Sequence, residues 1–161
     1  MRIISIFVTA LLLLAAAPSP AQEKEPLVTR DNEIEAARKL MAQERKLVIA
    51  GELVLTPAES EAFWPLYNEY QEEMRIIGDA EVALITEFAE NYSTADDEFA
   101  ERVIKESLDI DMRALKLRKK YLKRFNKVLP ALKVAKFYQV ENKLNAVVNY
   151  QLASMIPMIG D

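Results

Sequence analysis

The chain of 161 residues contains no cysteine, no histidine and only three glycines. Without cysteine, no disulfide can stabilise the fold. Without histidine, the chain lacks the commonest metal ligand and the side chain that most often serves as a general base near neutral pH. The scarcity of glycine, together with abundant Leu, Glu, Lys and Ala, favours helices over sheets. We therefore expect an all-α protein that needs no metal and no cofactor.

The first residues have the pattern of a secretory signal peptide. Arg2 is the only charged residue before Glu23, residues 3–17 are mostly apolar, and Ser19 and Ala21 are the small residues that a signal peptidase reads. We predict that residues 1–21 are removed and that residues 22–161 form a single helical domain with no membrane span.

Helix signals divide that domain into four segments. The first helix is predicted from near Asp31 to a stop at Gly51. The second begins with Thr56 as the cap, Pro57 in the first turn and Glu59 completing a capping box. The third begins at the acidic residues near Asp97, and Pro130 separates it from the fourth, which ends near Met155. The short connections predict long antiparallel hairpins in an elongated protein.

Two charged residues interrupt the apolar stripes of the middle helices. Glu81 falls within the stripe of the second helix and Arg118 within that of the third. Either each charge has another partner, or that part of the stripe faces water, or local bending turns the charges outward. The apolar set predicted for the third helix is Phe99, Val103, Ile104, Ile110, Leu115, Tyr121, Leu122, Phe125 and Leu129.

One sequence pattern occurs twice. The shared features are a leucine, a helix start and an aromatic pair eight residues later, and they predict two similar hairpins that meet at these motifs. The first motif comprises Leu55, Thr56, Pro57, Glu59, Phe63 and Trp64, and the second Leu129, Pro130, Phe137 and Tyr138.

Charge is segregated along the chain. Residues 59–101 contain thirteen acidic residues and one basic residue, whereas residues 113–136 contain ten basic residues and no acidic one. A short turn after the second helix would bring the basic block beside Glu69, Glu72 and Glu73. Two interpretations stay open: the blocks neutralise each other on a solvated surface, or the basic block attracts acidic partners.

No catalytic arrangement is present in the sequence. Ser60 and Ser107 have no histidine or suitably placed lysine to activate them. Glu72 and Glu73 are adjacent on a helix, so they cannot face one bond as an acid–base pair. We expect a protein that binds other proteins and is not an enzyme.

The motif at Leu55-Thr56-Pro57-Ala58-Glu59 resembles the LTXXQ motif of the Spy/CpxP family, with Glu59 in place of the glutamine. The second motif matches in Leu129 and in its position late in the chain. The resemblance implies four helices in long hairpins, which in the family can pair as a cradle-shaped antiparallel homodimer. It also implies a periplasmic location.

The resemblance implies an ATP-independent chaperone that binds unfolded or misfolded envelope proteins. The alternatives are an adaptor that negatively regulates an envelope-stress sensor and a structural envelope protein. No binding to nucleic acid is expected of an exported acidic protein. The candidate client-binding residues are Arg113, Arg118, Lys119, Lys120, Tyr121, Lys123, Arg124, Phe125 and Lys127.

The signal peptide leads to a direct prediction about the mature N-terminus. Protein recovered after export should begin near Gln22, because cleavage follows the small residues at positions 19 and 21. N-terminal sequencing of the exported protein checks this. A sequence that still begins at Met1 would contradict both the cleavage and the periplasmic location.

Overall fold

The computed structural model describes residues 27–156 and 158, with side-chain environments for residues 39–154, 156 and 158. The predicted signal peptide lies outside these residues. Contacts divide the chain into two units between Val48 and Ile49, and the division falls inside the first helix. The protein is all-α, with four α-helices in the described residues, as predicted.

The helices are α1 (Leu27–Glu52), α2 (Pro57–Asn91), α3 (Asp97–Phe125) and α4 (Ala131–Met155). A short 3-10 helix, Tyr92–Thr94, joins α2 to α3. The predicted stop at Gly51 is wrong by one residue, because α1 continues to Glu52. None of the helices among the described residues is long and apolar enough to cross a membrane.

The start of α2 is the predicted capping box. The backbone N–H of Glu59 donates to the Thr56 hydroxyl at 3.3 Å, and the N–H of Thr56 donates to the Glu59 carboxylate at 2.7 Å. Pro57 occupies the first turn, where its missing N–H costs no helical hydrogen bond. Two otherwise unpaired backbone donors are thereby satisfied, which fixes where α2 begins.

The core of the second unit is a cluster of aromatic rings. Phe63 of α2 lies 5.5 Å from Phe125 of α3 and 5.4 Å from Phe137 of α4, measured between ring centroids. Phe125 and Phe137 are 4.8 Å apart, and all three side chains are fully buried. Tyr70 and Tyr121 extend the cluster along the α2–α3 interface.

The two motifs meet in this core, as the sequence predicted. Phe63 and Phe137 are equivalent positions of the motifs and are in edge-to-face contact. The fifth positions also pair, because Lys133 donates to the Glu59 carboxylate at 2.5 Å. Tyr138 instead packs against Phe125 and Phe137, so only the phenylalanine of the second aromatic pair contacts Phe63.

Replacing Phe63 with alanine should lower the free energy of unfolding by about 3–5 kcal/mol, the range for a fully buried core aromatic. Urea unfolding followed by circular dichroism measures the loss. Val54→Ala is the control, because Val54 is 82% exposed, and it should change stability by less than about 0.5 kcal/mol. A loss below about 1 kcal/mol for Phe63→Ala would contradict the central place of this ring.

Candidate functional site

Two members of the predicted basic surface are engaged in the α2–α3 hairpin. Lys120 donates to the Glu73 carboxylate at 2.7 Å. Arg124 forms a bidentate ion pair with Glu69, with N···O distances of 2.5 and 2.7 Å. These bonds hold the pKa of both carboxyls below the usual range. Mutual neutralisation is therefore correct for this part of the basic block, although Glu72 pairs with Arg75 instead.

Two aromatic residues of the predicted surface lie in the core. Tyr121 and Phe125 are both fully buried, so no other protein can reach them. The Tyr121 hydroxyl donates to Glu73 at 2.7 Å, and burial raises its pKa, with Glu73 and Glu69 adding to the effect. Both residues position α3 and form no part of its exposed surface.

Arg118 lies in the contact between α3 and α4. Its guanidinium donates to the Asn142 side chain and lies 5.9 Å from the centre of the Tyr138 ring. The Tyr138 hydroxyl donates to the backbone carbonyl of Arg118 at 2.8 Å, and burial raises the pKa of this tyrosine to about 12. Arg118 is thus half-buried with polar partners, which explains how a charged residue fits on the apolar stripe.

The remaining predicted basic residues are exposed. In the part of the chain that the structure describes, they form no ion pair and keep their charge available to an outside ligand. They are Arg113, Lys119, Lys123 and Lys127.

α3 also carries a second apolar arc that faces water. We call it the α3 stripe, and its members are between half and two-thirds exposed: Ile104 (62%), Leu108 (61%), Met112 (52%) and Leu115 (50%). At 100° per residue these four positions share an arc of about 80°. The sequence-based apolar set was wrong for Ile104 and Leu115, and for Leu122, which is 41% exposed.

Charge borders the α3 stripe unevenly. Lys105 is exposed at one edge of the stripe, at about 100° on the same wheel, and Lys119 and Lys123 are exposed beyond its C-terminal end, at about 60° and 100°. Asp111 borders the other side. Leu108 and Met112 were outside the predicted apolar set; the signal that could have found the stripe is the regular spacing of four residues from Ile104 to Leu108 and from Leu108 to Met112.

A shallow cleft between α3 and α4 continues this surface. Its volume is about 450 Å³, and Arg118, Lys119 and Leu122 of α3 line it together with Val134 and Tyr138 of α4. The stripe and the cleft together form a surface that is apolar at its centre and basic along one edge. Such a surface can hold apolar side chains while attracting negative charge.

Glu81 is half-buried in the α2–α3 hairpin. Burial raises the pKa of its carboxyl, and the nearby negative charge of Asp111 adds to the shift. Glu81 is thus neither fully exposed to water nor fully enclosed. Its ionised form weakens the hairpin at the level where α3 carries the stripe.

Over residues 27–156, the fold and this surface define an all-helical, four-helix arrangement with an exposed apolar and basic face. Comparisons with models of protein families, with curated proteins and with solved structures found no match to this chain.

Replacing Glu81 with glutamine should raise the melting temperature at pH 7 but not near pH 4. A carboxyl whose pKa is raised on folding destabilises the folded state once it ionises, so the cost appears as pH rises from the unfolded value towards the folded one. Below that window both variants are uncharged at this position. Thermal unfolding of both proteins from pH 4 to pH 8 gives the difference between their melting temperatures. A gain in melting temperature that does not change with pH would contradict the raised pKa of Glu81.

Proposed function

We propose that the protein is a periplasmic, ATP-independent chaperone-like protein that binds unfolded or misfolded exported proteins. The observation that carries this proposal is the α3 stripe with unpaired lysines at its edge and beyond its C-terminal end. Unfolded proteins display apolar side chains that native proteins bury, and an exposed apolar face offers them a partner.

The charge distribution supports a capture role. Lys105, Lys119 and Lys123 are exposed and, among the described residues, form no ion pair. Their field attracts acidic segments over distances of about 8 Å at physiological ionic strength. Charge of this kind raises the association rate more than the final affinity, so clients would be captured quickly and held by weak apolar contacts.

The resemblance to the Spy/CpxP family agrees with this proposal. The capping box at Thr56 and Glu59 forms in the structure, and Phe63 and Phe137, equivalent positions of the two motifs, meet in the core. These features support membership of that family of exported helical proteins. A cradle-shaped dimer would follow from the same membership.

The direct experiment is aggregation of several unrelated unfolded clients, followed by light scattering with and without the purified protein. Suppression of aggregation for most clients at a few-fold molar excess is expected. Failure on every client would contradict the chaperone function. Tight binding to a single folded sensor domain, with no effect on unfolded clients, would establish the adaptor role instead.

Reversing one charge beside the α3 stripe should slow client capture. Lys119→Glu should lower the association rate of an acidic unfolded protein, such as carboxymethylated α-lactalbumin, about two- to fivefold at low salt. The melting temperature should barely change, because Lys119 has no ion pair among the described residues. Stopped-flow fluorescence at low and high salt measures the rate, and salt should reduce the difference.

Two matched variants separate capture from other effects. Lys143→Glu changes the net charge equally at an exposed position on α4 and should have the smaller effect on the rate. Lys120→Glu puts a carboxylate against Glu73, which Lys120 contacts at 2.7 Å, and should lower the melting temperature. An association rate that Lys119→Glu and salt both leave unchanged would show that this surface does not capture clients.

A further inference from the structure

A second cleft lies on the other side of α3, between α3 and α2. Its volume is about 410 Å³, within the range of about 300–1,000 Å³ that small-molecule sites occupy. Ile76 and Ile77 of α2 and Leu117 of α3 supply its apolar part. Ile76 is 53% exposed, so the packing of the hairpin leaves apolar surface open at this point.

Basic side chains surround this apolar floor. Arg113, Lys116 and Lys120 line the cleft, and Glu73 is its only acidic residue. Glu73 is already bound by Lys120 and by the Tyr121 hydroxyl, both at 2.7 Å. Lys120 and Glu73 therefore neutralise each other, and the rim retains two positive charges, those of Arg113 and Lys116.

Among the described residues, no acidic residue of α2 forms an ion pair with either cation, and Asp79, three residues after Ile76, is held by Arg75. Glu69 is held by Arg124 and Glu72 by Arg75. Within the residues that the structure describes, Arg113 and Lys116 form no ion pair. The cleft therefore has two cations above an apolar floor, and no carboxylate of the described residues forms an ion pair with either.

We infer that this cleft binds an anionic amphiphile with a single alkyl chain, with the chain against Ile76, Ile77 and Leu117 and the anionic head between Arg113 and Lys116. Charge complementarity selects an anion for the rim, and the apolar floor selects a hydrocarbon chain. A volume near the lower end of the usual range fits one chain better than two.

The walls of the cleft favour an alkyl chain over a peptide. Both walls are helix faces, whose backbone N–H and C=O groups are already bonded within α2 and α3. A peptide backbone placed against the apolar floor would find no backbone partner there, and an unpaired amide is costly when it leaves water. An alkyl chain has no such groups. This inference does not depend on client binding at the α3 stripe.

Isothermal titration calorimetry of the purified protein with dodecanoate, below its micelle concentration, tests the site. One dodecanoate per chain should bind. Dodecyltrimethylammonium, with the same chain and a cationic head, should bind at least about tenfold more weakly. Acetate, the head without the chain, should give no saturable heat. Equal binding of the cationic amphiphile would overturn the inference, and so would acetate binding as tightly as dodecanoate.

Paired variants locate the binding. Arg113→Gln combined with Lys116→Gln should weaken dodecanoate at least about tenfold, and Ile76→Gln should weaken it several-fold. The matched controls are Lys119→Gln combined with Lys123→Gln for charge, and Leu108→Gln for apolar surface.

The controls should change affinity less than twofold. All the substituted side chains are exposed, so helicity by circular dichroism should be unchanged in every variant. Equal weakening by the controls would place the amphiphile elsewhere. Displacement of dodecanoate by an acidic, leucine-containing peptide of equal affinity would show a peptide site and would also overturn the inference. Because these readouts involve no client, a failure here is distinct from a failure of the chaperone function.

Discussion

The contact among Phe63, Phe125 and Phe137 is the constraint on which the rest of the structure depends. Each ring comes from a different helix, and the three centroids are 4.8–5.5 Å apart. No disulfide can hold the chain together, so burial of these large apolar side chains must fix how α2, α3 and α4 meet. Once Phe63 faces Phe125, the antiparallel hairpin has one register. That register places Glu69 and Glu73 opposite Arg124 and Lys120.

The same register determines which basic residues of α3 form ion pairs and which do not. Lys120 and Arg124 find carboxylates on α2 and become part of the hairpin surface, whereas Arg113 and Lys116 line the α2–α3 cleft without an ion pair among the described residues. Those that point away, such as Lys119 and Lys123, keep their charge for the solvent or a ligand. Exposed ion pairs contribute only about 0–1 kcal/mol each, so the paired residues refine an arrangement that the aromatic cluster has already imposed. The unpaired residues are free to serve binding without a comparable effect on stability.

The sequence predicted well those features that depend on local spacing or on the repeated motif. The capping box at Thr56 and Glu59, the break at Pro130 and the meeting of Phe63 with Phe137 follow from local chemistry and from the repeated motif. Exposure was harder to predict, as Ile104 and Leu115 show. A helical wheel reveals that a residue shares an arc with others, but not whether a neighbouring helix covers that arc at that level. The state of Glu81 and the cleft beside Arg113 depend on such coverage, so periodicity could not determine them.

The second apolar arc of α3 has an energetic consequence. Four large apolar side chains that are at least half exposed contribute little to the core, although fully burying a side chain of this size favours folding by about 1.5–3 kcal/mol. A chain that leaves them exposed must prevent their uncontrolled association, and charge along the edge of such a patch does so. Lys105, at the edge of the stripe, and Lys119 and Lys123, beyond its C-terminal end, repel other positive charges while attracting acidic chains. These lysines can thus keep the stripe accessible in water and direct acidic ligands to it, which is why we regard the stripe and its lysines as one functional surface.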